Sequence, residues 1–593
     1  MSLEDITAII AAIAAAVLAV IAYHKLDDGD KQRFKAWLGE LVRKLGGWAK
    51  AALVILTVAL VGILAVNALG GGDGRATRIT FVYSPEKEAL LRPLIRRFNA
   101  ERRESNGGPV VVESRVIASG KAQAAIARGR LEPVAWSPAW SMWGRLLNFE
   151  AGEDLVPSEN PSLVRTPLVI AMWEPMARAL GWPKRKIGFK ELLTLARSRK
   201  GSGSFGGPQD GKFKLGHTNP DFSTSGLEAV AAEYYAAVGK QGGVTEEDVR
   251  RPDVRQTIQG IERSIVHYGD TTLFFAEQLE KYGQSFASAV AMEEVTLINF
   301  NRNRPATRLV TVYPKEGTFV SDNPFIVLDA PWVSEDDKDA AEVFHDWLAE
   351  ELTTERVAER SGFRPGDPAD KPLPPVEPKS GADPAEPRRV LGLPSPAVLA
   401  RIKSAWRQDQ KRANVMLVLD TSGSMRKEQK LDKAKGGLEV FLGELDDRDR
   451  VGLINFGSTV LDQVPLAPFG RNQQELQRAI DVLVPQGGTA VYDATSRAVQ
   501  AVESLNDRDR INAVVLLTDG GDTKSSLSRA ALIQALKPQS PALGSNVQVY
   551  TVAYGADADE QVLRDIAVAS EGGSFEGKES RIEALYERIS SFF

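Results

Sequence analysis

Short apolar segments of two different periods alternate along most of the chain. From Arg78, strand-like runs such as RITFVYS and VVVESRVIAS are separated by helical stretches such as KEALLRPLIRRFNAERR. From Asn414 the alternation resumes with NVMLVLD, a Val- and Leu-rich run typical of a strand that is buried on both faces. Strands that alternate with helices predict α/β folds. We therefore expect two α/β regions, of which the C-terminal one is a doubly wound sheet.

Two longer apolar runs, residues 6–23 and 51–69, precede these regions. At about 1.5 Å per helical residue, each run spans most of a ~30 Å hydrocarbon layer, so both are predicted transmembrane helices. The loop between them is rich in Lys and Arg, whereas the tail MSLED has no base, which predicts a cytoplasmic loop. Residues 1–74 would then anchor the chain in the plasma membrane, with its bulk extracytoplasmic. A cleaved secretory signal is the alternative for the second run, but its length favours an anchor.

Hydroxyl side chains follow several predicted strands of the middle region, residues 75–365. They stand where helices are predicted to begin, at Ser84, Ser119, Ser137, Ser223, Thr224 and Ser225. Helix N-termini present free N–H groups, which suit an anionic or polar ligand. Helix capping alone is the alternative explanation at each position. Taken together, these positions predict a cleft for a small polar or anionic solute.

Three motifs give this middle region a family resemblance. PLVIAMW at 167–173, STSG at 223–226 and FVSDNPFIVLDAPW at 319–332 are similar to segments of bacterial extracellular solute-binding proteins of the two-lobed periplasmic type. The resemblance implies two α/β lobes joined by crossing strands, with a ligand between them, and it does not identify the ligand. The alternative is a pair of lobes that packs against partners and binds no small molecule.

Residues 366–412 begin with a proline-rich stretch, DPADKPLPPVEPKSGADPAEP. Such a composition is typical of a semi-extended spacer and disfavours a packed core or a continuous helix. The segment PSPAVLARIKSAWRQDQKR, which follows, has the apolar spacing of a short amphipathic helix. We therefore expect a spacer and then one helix before the C-terminal domain.

Three predicted loops of the C-terminal region, residues 413–593, carry oxygen ligands. They contribute Asp420, Ser422 and Ser424 from DTSGS, Thr489 from GGTAVYD, and Asp519 from LLTDGGD. In a doubly wound sheet, ligands bind outside the carboxyl ends of the strands, where such loops converge. Mg²⁺ requires about six oxygens, which two carboxylates, three hydroxyls and water can supply. The pattern predicts a site for Mg²⁺ or Mn²⁺.

The same five positions match, one by one, the metal-ion-dependent adhesion site of the von Willebrand factor A family, which the whole terminal region resembles. The resemblance implies that an Asp or Glu carboxylate of a protein partner completes the coordination of the metal. A domain with the same fold and an inactive site is the alternative, although all five positions are present. Because Asp519 follows a predicted strand end, we expect its side chain to lie outside the core.

Composition narrows the range of functions. The chain of 593 residues has no cysteine and a formal net charge of -5, so it lacks disulfides, thiolate chemistry and a global basic field for nucleic acid. Its four histidines are scattered, no GxSxG motif occurs, and no catalytic residue is predicted. We expect a membrane-anchored extracytoplasmic binding or adhesion protein, not an enzyme. A solute receptor associated with a transporter is the first alternative, and a hydrolase is a weaker one.

Overall fold

The computed structural model describes residues 76–198, 213–507, 509–537, 547–578 and 581–593, with the backbone alone for His267 and Ser285. Residues 77–106 and 110–593 form one compact unit. The two predicted transmembrane segments, 6–23 and 51–69, lie outside the described residues. Within the described ranges no helix has the length and apolarity needed to cross a membrane.

Eighteen strands are described. They are β1 (Thr77–Tyr83), β2 (Glu104–Ser105), β3 (Gly108–Val116), β4 (Ala135–Ser137), β5 (Val164–Trp173), β6 (Leu215–His217), β7 (Ile265–His267), β8 (Ala289–Glu293), β9 (Leu309–Val312), β10 (Val320–Ser321), β11 (Ile326–Val327), β12 (Arg364–Pro365), β13 (Ala413–Asp420), β14 (Arg450–Phe456), β15 (Val460–Pro468), β16 (Ile511–Thr518), β17 (Gln548–Tyr554) and β18 (Ser574–Gly577).

The α-helices span Glu88–Glu101, Ser119–Ala127, Met142–Ala151, Glu174–Ala179, Phe189–Arg197, Thr224–Val238, Glu246–Arg250, Pro252–Glu262, Thr272–Tyr282, Glu294–Arg302, Glu335–Glu351, Thr354–Arg360, Pro396–Asp409, Lys430–Gly443, Phe469–Asp481, Val491–Glu503, Arg529–Leu536, Glu560–Ala569 and Ile582–Ser590. Short 3₁₀ helices span Pro85–Lys87, Gly283–Ser285, Pro378–Ser380 and Gly423–Gln429.

Helix Glu88–Glu101 illustrates why these segments fold as they do. Its apolar residues recur at helical spacing and bury one face, formed by Leu90, Leu91, Leu94, Ile95 and Phe98.

Two sheets build two lobes between residues 77 and 365. The first has the strand order β11-β4-β1-β3-β2, with β1 parallel to both β3 and β4. The second is centred on β5, which pairs antiparallel with β8, β9, β10 and β12, while β6 lies parallel to β7 and β8. The chain passes from β4 of the first lobe to β5 of the second and returns from β10 to β11. This is the two-lobed arrangement that the family resemblance implied.

The C-terminal sheet has the order β15-β14-β13-β16-β17-β18, and all neighbouring pairs are parallel except β14 with β15. All eight residues of β13 and of β16 are buried, because helices cover both faces of the sheet. The strand order reverses between β13 and β16, which is the point where such sheets place a ligand site. The predicted doubly wound sheet is confirmed, and β15, β18 and helix Ile582–Ser590 are elements that the sequence analysis did not predict.

The proline-rich segment lies against the second lobe, and our expectation that its composition packs no core is wrong. Val376, Ala382 and Leu391 are buried. The backbone N–H of Leu391 donates to the carbonyl of Thr318 at 2.8 Å, and the backbone N–H of Thr311 donates to the carbonyl of Gly381 at 2.9 Å. Proline disfavours regular structure but not burial, so an extended segment can still cover a lobe.

The predicted amphipathic helix spans Pro396–Asp409 and contacts both lobes. The Arg407 guanidinium makes two hydrogen bonds to Asp221 of the second lobe, at 2.7 and 2.8 Å. Lys403 lies 3.7 Å from the same carboxylate, and its ammonium stacks over the ring of Trp143 in the first lobe at 5.1 Å. Strand β13 begins soon after this helix ends, so the helix connects the lobes directly to the C-terminal domain.

Candidate functional site

The five oxygen-bearing residues of the C-terminal domain come from three loops at one edge of its sheet. Asp420 is the last residue of β13 and Asp519 directly follows β16, so both stand where the strand order reverses. Thr489 precedes helix Val491–Glu503. The backbone N–H of Gly423 donates to the carbonyl of Gly487 at 3.1 Å, which brings the first two loops together.

Hydrogen bonds link the side chains of the first and third loops into one chain. The hydroxyl oxygens of Ser422 and Ser424 lie 2.9 Å apart, and Ser424 donates to Oδ1 of Asp519 at 2.6 Å. Asp420 accepts the backbone N–H of Ser422 at 2.7 Å and the Thr518 hydroxyl at 2.5 Å. Burial raises the pKa of Asp420 to about 6, and the nearby Asp519 charge acts in the same direction.

Thr489 completes the group from the second loop. Its hydroxyl oxygen lies 3.9 Å from the position that a Cβ atom on Gly520 would occupy, which places it beside the Asp519 loop. The backbone N–H of Thr489 donates to the Thr523 hydroxyl at 3.0 Å, and this hydrogen bond holds the loop in position. Gly487 has φ +78, and a side chain there would meet the Ser458 hydroxyl at 2.6 Å, so only glycine suits this turn.

Asp519 is fully buried, and our expectation that its side chain lies outside the core is wrong. Its Oδ2 atom forms an ion pair with the Lys430 ammonium at 3.0 Å, and the side chain of Lys430 is only 5% exposed. Lys430 is the first residue of helix Lys430–Gly443, directly after two residues with positive φ, Glu428 and Gln429. The sequence analysis did not identify Lys430, because only the fold brings this helix start beneath β16.

The donor set fits a small, hard divalent ion such as Mg²⁺ or Mn²⁺. The carboxylates of Asp420 and Asp519 and the hydroxyls of Ser422, Ser424 and Thr489 are all oxygen donors. Across the described ranges no group of three or more His, Cys, Asp or Glu side chains could hold a metal. Because the site has only two carboxylates, a metal ion bound there would need the three neutral hydroxyls as further ligands.

A second polar region lies between the two lobes. A small cavity there is lined by Ser84, Ser119, Ser223 and Thr224, four of the six predicted hydroxyl residues, together with Thr271, Thr272, Glu86 and Glu293. Its volume is about 10 Å³, which is room for one water-sized particle. Ser137 and Ser225 are buried close by but do not line the cavity; Ser225 Oγ lies 2.8 Å from the Thr218 hydroxyl oxygen.

Helix capping does not account for these hydroxyls. Neither Ser84 nor Ser223 makes a side-chain capping hydrogen bond, although each directly precedes a helix. Ser119 accepts the backbone N–H of Ala139 at 3.0 Å, and Thr224 accepts the indole N–H of Trp143 at 2.8 Å. The last bond joins the two lobes, because Trp143 belongs to the first and Thr224 to the second.

Buried charged groups that the sequence analysis did not identify surround the cavity. Burial and the charge of Glu86 raise the pKa of Glu293 to about 7. Burial lowers the pKa of Lys87 to about 8, against the opposing influence of Glu86. Glu86 and Lys87 lie two and three residues after Ser84, so their closeness in sequence was a signal that could have identified them. Glu293 is distant in sequence and lines the cavity only because of the fold.

Comparison with known proteins assigns both regions. Residues 414–588 match the von Willebrand factor type A domain, and residues 79–364 match the bacterial extracellular solute-binding protein family. The chain therefore contains a region similar to bacterial extracellular solute-binding proteins, followed by a region that matches the von Willebrand factor type A domain.

Curated relatives match about three tenths of the chain. Inter-alpha-trypsin inhibitor heavy chain H4 of Sus scrofa is 27% identical over 188 residues, which are 30% of this chain and 20% of that protein. An uncharacterized protein of Synechocystis is 31% identical over 176 residues, 29% of this chain and 39% of that protein. The chain thus spans less than two fifths of the length of either relative. Among solved structures, the periplasmic binding protein P5PA is 13% identical with a TM-score of 0.40, over 56% of this chain and 100% of that one.

Proposed function

We propose that this chain is an extracytoplasmic binding protein whose C-terminal domain recognises a protein partner through Mg²⁺ or Mn²⁺. The observation that carries the proposal is the hydrogen-bonded chain from Ser422 through Ser424 to Asp519, with Asp420 beside it at the sheet edge. Both matched domains are binding modules, which supports a role in binding or adhesion and not in catalysis.

The five side chains would hold the ion through the oxygens of Asp420, Ser422, Ser424, Thr489 and Asp519. A bound divalent ion supplies a positive charge that two carboxylates and neutral hydroxyls leave incompletely cancelled. The partner that such a site suits carries an Asp or Glu carboxylate at its contact surface. The loops hold their side chains through the bonds from Gly423 to Gly487 and from Thr489 to Thr523, so the ligand positions are already organised.

We further propose that residues 6–23 and 51–69 anchor the chain in the plasma membrane, with residues 75–593 outside. The support is the apolar length of both runs and the basic loop between them. The two lobes would then take up a small solute from outside the cell. The cavity between them also supports a second candidate function, a solute receptor that serves a transporter, with the C-terminal domain as its docking module.

Calorimetric titration of the full chain with Mg²⁺ and Mn²⁺ tests the metal site. Thr489 is the ligand whose substitution disturbs the structure least. Its hydroxyl makes no hydrogen bond within the described part of the chain, so Thr489→Val removes a ligand without breaking a structural contact. We expect Thr489→Val to weaken metal binding about tenfold or more, while Thr489→Ser, which keeps the hydroxyl, binds as the unchanged chain does.

Capture of surface proteins by the full chain then tests the functional consequence. We expect capture with Mg²⁺, loss of capture with EDTA, and loss with Thr489→Val. Asp462→Asn is the matched control, since Asp462 is an exposed acid of the same domain and forms an ion pair with Arg497. Capture that persists in EDTA, or equal metal affinity in the Val and Ser variants, would contradict the proposal.

A further inference from the structure

The cavity between the lobes is lined by oxygen acceptors of neutral or negative charge. The charged residues of its lining are the two acids Glu86 and Glu293, and its other polar side chains are hydroxyls. In the described part of the chain, no lysine, arginine or histidine lines this cavity. An anion placed there would face two carboxylates and no cation of the lining, since Lys87, which lies 3.5 Å from Oε1 of Glu86, does not line the cavity.

Lys87 is the nearest cation, and its hydrogen-bonding capacity is already used. Its ammonium contacts the Ser84 hydroxyl at 2.5 Å, Oδ1 of Asn323 at 2.7 Å and the carbonyl of Pro138 at 3.3 Å, and it also lies 3.5 Å from Oε1 of Glu86. An ammonium has three N–H donors, so these contacts satisfy all of them. Lys87 is fully buried and could bind an anion only by giving up one of these partners.

Further carboxyl groups lie behind the cavity wall. Glu228 is fully buried; its Oε1 accepts the Ser321 hydroxyl at 2.9 Å, and its Oε2 has no hydrogen-bond partner among the described residues. It lies one helical turn beyond Thr224, which lines the cavity, so both side chains are on the same face of helix Thr224–Val238. Burial raises the pKa of Glu228 well above its usual value, and the charges of Glu293 and Asp322 act in the same direction. The buried acids therefore outnumber the one buried ammonium.

We infer that the cleft takes a small cation that donates hydrogen bonds, a primary ammonium group. Of the polar or anionic solutes that the helix N-termini suggested, this inference excludes the anionic ones. The inference rests on the proposed function, in which the lobes bind a solute. An ammonium group can donate to Glu86, to Glu293 and to the hydroxyls, and its charge offsets the buried carboxylates.

The size and lining of the cavity limit which cations it can hold. A volume of about 10 Å³ admits one water-sized particle, which is the size of ammonium or of a primary amine head. None of the described lining residues is aromatic, so the cavity lacks the ring faces that quaternary ammonium ligands require. A zwitterionic amino acid is disfavoured, because its carboxylate would lie against a lining that contains no cationic side chain.

Thermal-shift titration of the full chain at constant ionic strength tests the inference. The probes are ammonium chloride, methylammonium chloride, tetramethylammonium chloride, magnesium chloride and sodium phosphate, each against sodium chloride. We expect ammonium and methylammonium to raise the melting temperature and the other probes to have no effect through the cleft. Glu293→Gln, which keeps an acceptor for the Thr272 hydroxyl, should lower the ammonium affinity about tenfold or more.

Glu247→Gln is the control, because Glu247 is an exposed acid of the same lobe. Stabilisation by phosphate that grows in Glu293→Gln would overturn the inference and leave solute binding intact. A Mg²⁺ response that Glu293→Gln abolishes, or an equal response to tetramethylammonium, would also overturn it. A chain that responds to none of the probes would contradict both the cationic ligand and solute binding by the lobes.

Discussion

At the scale of single residues, the buried pair of Lys430 and Asp519 changes how the metal site must be tested. Both side chains are almost completely buried, and Asp519 also accepts the Ser424 hydroxyl. Removing one partner of a buried ion pair leaves an uncompensated charge, which costs far more than an exposed pair contributes. Variants at Asp519 therefore alter the fold and the ligand set together.

We predict that Asp519→Ala lowers the free energy of unfolding by about 3 kcal/mol or more, because it strands the Lys430 ammonium in the interior. The double variant Asp519→Ala with Lys430→Met should recover much of this stability, since no buried charge remains unpaired. Urea unfolding of the full chain, followed by circular dichroism, measures both. Equal destabilisation of the single and double variants would show that the ion pair is not the cause.

Glu293 gives the clearest pH dependence. Its pKa is raised from 4.5 to about 7 by burial and by Glu86, with Lys87 opposing and with Glu228 also nearby. The folded state therefore binds the proton more tightly than the unfolded state, and the stabilisation present below about pH 4.5 is lost as the pH rises through 7. We expect Glu293→Gln to have little effect on stability at pH 5 and to stabilise the chain by roughly 1–3 kcal/mol at pH 8. Urea unfolding without added amine measures this difference, and the same effect at both pH values would contradict it.

At the scale of elements, helix Pro396–Asp409 holds the entrance of the cleft. Arg407 and Lys403 both contact Asp221, which lies just before the hydroxyl residues Ser223 and Thr224. Asp409 of the same helix pairs with Arg255 of the second lobe at 2.9 Å. The helix therefore favours the arrangement in which the Trp143 indole of the first lobe reaches Thr224.

We predict that Arg407→Ala loosens this arrangement. The lost pair is partly exposed and is worth only about 1 kcal/mol, so the fold should persist. Hydrogen–deuterium exchange in residues 219–226 should become several-fold faster, because the hydrogen bonds between the lobes open more often. Arg250→Ala, which removes an exposed pair with Glu246 on another helix, should leave this segment unchanged. An unaltered exchange rate in Arg407→Ala would show that the helix does not hold the cleft.

At the scale of the whole molecule, the C-terminal helix Ile582–Ser590 and the residues after it join the two domains. The ring of Phe592 stacks on Phe274 of the second lobe with centroids 4.6 Å apart, and Arg588 pairs with Asp270 at 2.9 Å. The ion pair is partly exposed, so the buried aromatic contact contributes more of the stability. The proposed metal site and the cavity between the lobes therefore belong to one packed unit, although they lie on different sheets.

The sequence by itself determined the elements whose chemistry is local. Unbroken apolar runs specified the central strands β13 and β16. Asp420, the last residue of β13, and Asp519, which directly follows β16, were placed correctly at the strand ends. The same local reasoning located Ser84, Ser119, Ser223 and Thr224 at helix starts, four positions that share one cavity. Spacing along a strand or helix is set by backbone geometry, which every short segment carries within itself.

Only the tertiary structure decided which charges meet and which surfaces are buried. Lys430 contacts Asp519 from the start of helix Lys430–Gly443, and Glu293 lines the same cavity as Ser84 of the other lobe. Such contacts between distant segments depend on how the elements pack. The proline-rich segment shows the same limit, since its composition disfavoured helices but not burial against a lobe. The acids Glu86 and Glu293 meet in the cavity lining only through such contacts, whereas the helix starts alone suggested a polar or anionic solute. Electrostatic energy depends on distance and burial in three dimensions, and neither quantity is present in a local sequence pattern.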